Sequence, residues 1–313
     1  MHYGDRFRKE TFWRGLITCC GLFMILLTLS IGFFLIYQGT GTFTKYGHSI
    51  VEFLFSSAWA PADNSQGGGS VGAAIYIFGS IVTCGLALVI AVPFSLGAAI
   101  FMTEIAPKIG SRFFQPAMEL FVGVPSVVYG WVGLTVLVPF IKNVFHQTHG
   151  YSVLAAGIVL AVMIFPTITS VTADAIRSVP LSYRQAAYGL GSTRWQVIRR
   201  VVIPAGRSGM FTGIILGLAR AFGEALAVAM VIGKTRAFPK NILSPTNNLT
   251  SAIASDMGGA MEGGEYNLAL WTMALLLFLI SLFFIFLVHL ISGKGEKKAH
   301  ETHQSGKKSK VRR

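Results

Sequence analysis

Five stretches of at least 22 residues contain no Asp, Glu, Lys or Arg: 15–37, 71–102, 120–141, 151–173 and 268–291. A bilayer core about 30 Å thick is crossed by about 20 apolar helical residues, so each stretch is long enough to span it. A sixth stretch, 208–233, is apolar except for Arg220 and Glu224. Composition agrees. The chain is 53% hydrophobic and 12% charged, about half the charge of an average soluble protein, with a mean hydropathy of +0.61. One soluble core could not hide that much apolar surface, and only the ends are polar enough for disorder. The expected class is an all-α polytopic membrane protein with six transmembrane helices.

An even number of spans puts both termini on one side, and the basic residues then sort. One side holds four in the N-terminal tail, Lys108 and Arg112, six between Arg177 and Arg207, and eight from Lys294 to Arg313, which makes 20 of 26. The other holds Lys45, Lys142, Lys234, Arg236 and Lys240. The positive-inside rule makes the first side cytoplasmic. The net charge of +13 is thus an orientation signal and calls for no nucleic acid. The first apolar run follows Arg6, Arg8, Lys9 and Arg14 but exceeds the ~7–15 residues of a signal-peptide core, and no small-residue cleavage site follows; it reads as a retained helix.

The remaining chemistry-bearing residues are sparse. Cys19, Cys20 and Cys84 lie in apolar runs without metal-ligand spacing and read as packed free thiols. His146 and His149, and His300 and His303, read as solvated pairs. Gly67–Gly69 could cradle a phosphate, but without a GxxxxGK[ST] pattern it reads as a flexible loop. The tail 292–313 reads as disordered and close to anionic lipid headgroups. The first and sixth spans, rich in Leu, Ile and Phe, suit lipid contact. The middle four, with residues such as Thr83, Pro93, Gly123, Pro125, Tyr129, Pro166 and Thr167, are expected at the protein core, where small residues permit close helix approach and prolines free carbonyls that need partners.

Arg220 is the thirteenth of 26 residues in its run, near the bilayer midplane, where a charge costs at least about 2.5–3.5 kcal/mol. Glu224 lies four residues on, on the same face of a continuous helix. Two readings stay open. The pair is a salt bridge that neutralises itself, or it is a polar station on a solute path. In the second, Arg220 donates to an oxyanion, and Glu224 accepts from a protonated one; phosphate keeps a proton near neutral pH and sulfate does not.

The loop 174–207 reads as a helix over 181–190, a break at Gly191, and a second helix over 193–202 ended by Pro204. Ala186 and Ala187 leave a smooth face for a close partner. Gln185-Ala186-Ala187, three residues, Gly191, nine residues, Val201, one residue and Ile203-Pro204 resemble the EAA loop of ABC importer permeases, with Gln185 where Glu is common. Gly123-Val-Pro-Ser-Val-Val-Tyr-Gly130, Gly217-Leu-Ala-Arg-Ala-Phe-Gly-Glu224 and the stretch 93–107 resemble phosphate-importer permeases of the PstC type. The resemblance covers roughly residues 71–291.

It implies a type I ABC importer permease (MetI-like) fold. The implied organisation is an N-tail, first helix and external loop in 1–70, a permease core in 71–291 and the basic tail in 292–313. Residues Gln185, Ala186, Ala187, Gly191 and Pro204 would couple to an ATPase. The implied partners are a PstA-type permease as heterodimer, two PstB-type ATPases and an external PstS-type phosphate-binding protein. ATP and Mg would be bound by the ATPase, leaving this chain without cofactor, metal or catalytic residues, in the cell membrane. Two alternatives are carried: the same fold for sulfate or molybdate, and a proton-coupled secondary transporter. The latter class often has discontinuous helices in both halves, whereas the sequence shows one charged span without a counterpart. An enzyme reading lacks a nucleophile–base pair.

Overall fold

The computed structural model describes side chains for residues 13–291 and backbone structure for residues 3–310. Helix α1 (Tyr3–Gly39) leads into the short helices α2 (Gly41–Thr44) and α3 (Ile50–Phe55) and an antiparallel hairpin of β1 (Trp59–Ala60) and β2 (Ser70–Val71), with Trp59 opposite Val71. Helix α4 (Ala74–Ile100) follows, then α5 (Pro107–Ile109), α6 (Gln115–Gly123), α7 (Ser126–Val132), α8 (Val138–Val144) and α9 (Val153–Arg177). The chain continues through α10 (Leu181–Gly189), α11 (Arg194–Val197), α12 (Ile203–Gly223), α13 (Leu226–Val231), α14 (Leu249–Asp256) and α15 (Glu265–Lys310). Among the described residues six helical segments are long and apolar enough to cross a membrane: Trp13–Thr44, Ala74–Ile105, Ser126–Val144, Val153–Arg177, Arg194–Gly223 and Glu265–Ile291.

Helix α9 is the axis of the core. Its Leu160, Ile164 and Ile168 are fully buried, between α4 on one side and α12 on the other. Small residues set these distances. A Cβ on Gly157 would fall 2.8 Å from Leu86 Cδ2, and one on Gly217 would fall 2.5 Å from Ile168 Cγ1. In lipid, such close approach and the few interhelical hydrogen bonds replace the hydrophobic drive. One of those bonds runs from Ser95 Oγ on α4 to the Phe165 carbonyl on α9 at 3.2 Å. The third span is less enclosed than its composition suggested. Val128, Trp131, Val136 and Phe140 are exposed, beside an apolar groove of about 580 Å³ against α9. Helices α1 and α15 present Leu, Ile and Phe outward, as their texture predicts. They meet through Thr272, whose hydroxyl donates to the Gly39 carbonyl at 2.7 Å.

Two expectations are corrected. Pro204 does not end a helix. It sits in the first turn of α12, and the backbone runs from α11 through a π-helical turn, Ile198–Val202, into α12. A proline lacks the N–H and its ring crowds the carbonyl four residues back; a wider π turn relieves both. The glycines at 67–69 are not a free loop. Gly68 N–H donates to Glu265 Oε1 at 3.1 Å, and Gly69 and Ala62 N–H donate to Oε2 at 2.9 and 2.6 Å. His48 Nε2 lies 2.7 Å from Oε1. Glu265 is fully buried, and such a carboxylate needs these partners. Positive φ at Gly67 and Gly68 lets the backbone curl around it. The expectation of a disordered tail over 292–313, including His300 and His303, concerns residues beyond those with described side chains.

Candidate functional site

Helix α12 stops at Gly223, and Glu224 takes an extended backbone (φ −78, ψ 120). Arg220 and Glu224 therefore do not share a continuous helix face, and no ion pair joins them among the described residues. Each has its own partner. Arg220 Nη1 donates to Thr167 Oγ1 on α9 at 2.9 Å. Glu224 Oε1 accepts from Ala227 N–H at 3.1 Å, capping the start of α13. The break places Arg220 in the last turn of α12, where the helix dipole favours a cation, and Glu224 at the start of α13, where it favours an anion. The Glu224 carbonyl, freed by the break, accepts from the Thr250 hydroxyl of α14 at 2.8 Å.

The apolar run 120–141 has a matching interruption, which its sequence did not suggest. Helix α6 ends at Gly123, Val124 and Pro125 are extended, and α7 starts at Ser126. Tyr129 donates its hydroxyl to the Phe121 carbonyl at 2.8 Å, across the break. Beyond the two breaks, α7 and α13 pack together, and a Cβ on Gly130 would stand 2.7 Å from Ala227 Cα. The Gly-Val-Pro-Ser and Gly-Glu-Ala segments were the available signals. In the sequence Thr167 and Tyr129 stand out only as parts of polar spans.

The loop between the fourth and fifth spans has the expected helix–break–helix form. Gly191 has φ +77, and Thr193 and Gln196 form a reciprocal cap at the start of α11, with Thr193 N–H donating to Gln196 Oε1 at 2.8 Å. Gln185, Ala186 and Gly191 are exposed while Ala187 packs inward. Around them Leu181, Tyr183, Tyr188 and Trp195 are exposed, and Leu190 is 88% exposed. An apolar patch of this kind at a loop marks an interaction site. No cluster of potential metal ligands occurs among the described residues.

Residues 91–294 match the family described as binding-protein-dependent transport system inner membrane component. The chain belongs to this family, as a PstC-type ABC permease. It is 47% identical over 290 residues to the probable ABC transporter permease protein YqgH of Bacillus subtilis (strain 168), covering 93% of each chain. It is 35% identical to the phosphate transport system permease protein PstC of Xylella fastidiosa (strain 9a5c), over 88% of this chain and 87% of that one. The PstC of Pasteurella multocida (strain Pm70) is 36% identical, over 88% and 89%. Among solved structures, a chain of a bacterial alginate ABC transporter in complex with an alginate pentasaccharide-bound periplasmic protein superposes with a TM-score of 0.55 at 15% identity, covering 93% of this permease and 96% of that chain. That likeness concerns the fold, which is the six-span ABC importer permease fold expected from the sequence. Helix breaks in two spans removed one objection to a secondary transporter, but family membership places this permease with the ABC importers.

Proposed function

We propose that the chain is the permease subunit of an ATP-driven importer of inorganic phosphate across the cell membrane, with both termini cytoplasmic. The carrying observation is the Arg220 guanidinium held at the end of α12 against the middle of α9, where its hydrogen bond to Thr167 leaves the rest of its five-donor fork for an oxyanion. The PstC relatives support phosphate as that oxyanion. The exposed patch around Gln185, Ala186 and Gly191 is the surface that an ATPase would grip, and Pro204 sets the start of the span it would move. ATP and Mg then belong to two PstB-type partners, a PstA-type permease completes the pore, and a PstS-type protein delivers phosphate.

The test is reconstitution of this chain with those partners in proteoliposomes. Phosphate-stimulated ATP hydrolysis with accumulation of labelled phosphate is the expected result. Stimulation by sulfate or molybdate in place of phosphate would transfer the reading to those ions. Uptake that follows a proton gradient and ignores ATP would overturn it.

A further inference from the structure

The densest polar contact at the end of the molecule that carries the coupling loop lies beside the residues assigned to coupling. Arg184 belongs to α10, and its side chain is 15% exposed. Its Nε and Nη2 both donate to Glu104 Oε1, at 3.2 and 2.7 Å. The same guanidinium donates through Nη2 to the Ile176 carbonyl at 2.9 Å and through Nη1 to the Val179 carbonyl at 2.5 Å. Glu104 is itself only 11% exposed, and sits in the π-helical turn Phe101–Ile105 that ends the second span. A second arginine, Arg194 of α11, donates to the carbonyls of Glu104 and Ile105.

One side chain thus joins three segments: α10, the end of α9 and the end of the second span. This is an unusual investment for a loop. An Arg fork with four hydrogen bonds is geometrically rigid, whereas an ordinary surface pair contributes about 0–1 kcal/mol and tolerates loose geometry. Glu104 also stands in contact with both helices that flank Gly191, through Arg184 on one and Arg194 on the other. The segments it joins lead inward. From Ile176 to Thr167, α9 rises nine residues, about 13 Å, and Thr167 holds Arg220. Helix α4 meets the same region of α9 through Ser95 and Phe165.

We infer that Glu104 and Arg184 form the transmission latch of the permease, a positioning pair that passes motion of α10 to the second and fourth spans together. This rests on the ABC-importer reading given above. The latch makes α10 and the two span ends move as one body, so that displacement of the exposed loop reaches the Thr167–Arg220 contact. Without Glu104, α10 keeps the Arg184 bonds to the Ile176 and Val179 carbonyls but loses its side-chain tie to the second span, and can shift while that span stays in place.

The test uses the full complex in proteoliposomes, comparing wild type with Glu104→Gln and Glu104→Asp. Wild type must first show phosphate-stimulated ATP hydrolysis and uptake; its failure to do so would overturn the importer reading and the latch with it. Given that activity, E104Q is expected to assemble and hydrolyse ATP at a basal rate, with uptake per ATP reduced at least tenfold. E104D, which keeps the charge, is expected to recover part of that ratio. A role in folding alone would lower assembly and leave the uptake-to-ATP ratio of the assembled fraction unchanged. That result, or a wild-type ratio in E104Q, would overturn the latch while leaving the importer reading standing. Loss of assembly in both variants would likewise overturn it.

Discussion

At the scale of single residues, Arg220 is held by a neutral hydroxyl and a helix end instead of by Glu224, and this changes what substitutions should do. A mutual ion pair would make removal of both partners milder than removal of one. Independent sites add within about 0.3–0.5 kcal/mol. Arg220→Ala and Glu224→Ala should therefore combine additively in thermal unfolding of the purified complex. The Glu224 change alone should lose about 1 kcal/mol as a helix cap. Clear rescue in the double variant would restore the pair. For transport, Arg220→Lys keeps the charge and loses the planar fork; phosphate uptake should fall about tenfold or more with assembly intact, and uptake at the wild-type level would remove Arg220 from the solute path. Gly191 has a different constraint. At φ +77 an L-residue is strained by roughly 1–2 kcal/mol, or about 5–30-fold in an equilibrium. Gly191→Val should therefore tilt α10 away from α11 and uncouple hydrolysis from uptake. Equal uptake per ATP in mutant and wild type would refute that.

At the scale of elements, the two interrupted spans act as a unit. The apolar runs 120–141 and 208–233 break at Gly123–Pro125 and at Glu224, and the helices that follow, α7 and α13, meet at Gly130 and Ala227. The freed polar groups are taken up by side chains from elsewhere: Tyr129 on the Phe121 carbonyl, Thr250 on the Glu224 carbonyl. In a membrane, irregular backbone persists only with such partners. The contact leaves no room for a side chain at 130. Gly130→Val should force α7 off α13 at an overpacking penalty of about 1–3 kcal/mol, seen as a lower unfolding temperature of the complex. An unchanged melting profile would show that the α7–α13 seam is looser than drawn. The π-helical turn before Pro204 has a similar role, since it lets α11 and α12 continue as one rod from the coupling loop into the fifth span.

At the scale of the whole molecule, the loops divide between two ends. Residues around 48, 62–69 and 263–266 are tied together by the Glu265 cradle and by Lys45 on the Gly263 carbonyl. Residues 104–105, 176–184 and 194 meet at the opposite end. This division matches the sorting of basic residues, with Arg184 and Arg194 on the rich side and Lys45 on the poor one. Fusion of a reporter at position 245 should give activity only for a periplasmic or extracellular reporter; activity confined to a cytoplasmic reporter would invert the orientation. The outward apolar faces of α1 and α15 suit lipid.

Hydropathy is a local property, so six spans, their alternation and the enrichment of basic residues at one end could all be read from the chain alone. The helix–break–helix form of the loop 174–207 was legible for the same reason, because the turn at Gly191 is made with neighbours a few residues away. What depended on distant residues was not legible. Whether Gly223 interrupts a helix is decided by Thr250 and by the α7 seam. Whether Gly67–Gly69 is free is decided by Glu265, some two hundred residues later. Whether Glu104 is a surface acid or a buried partner is decided by Arg184, 80 residues away. A membrane interior penalises every unpaired polar group, so these pairings are obligatory once the spans pack. The partners themselves are chosen only when helices far apart in the sequence come side by side.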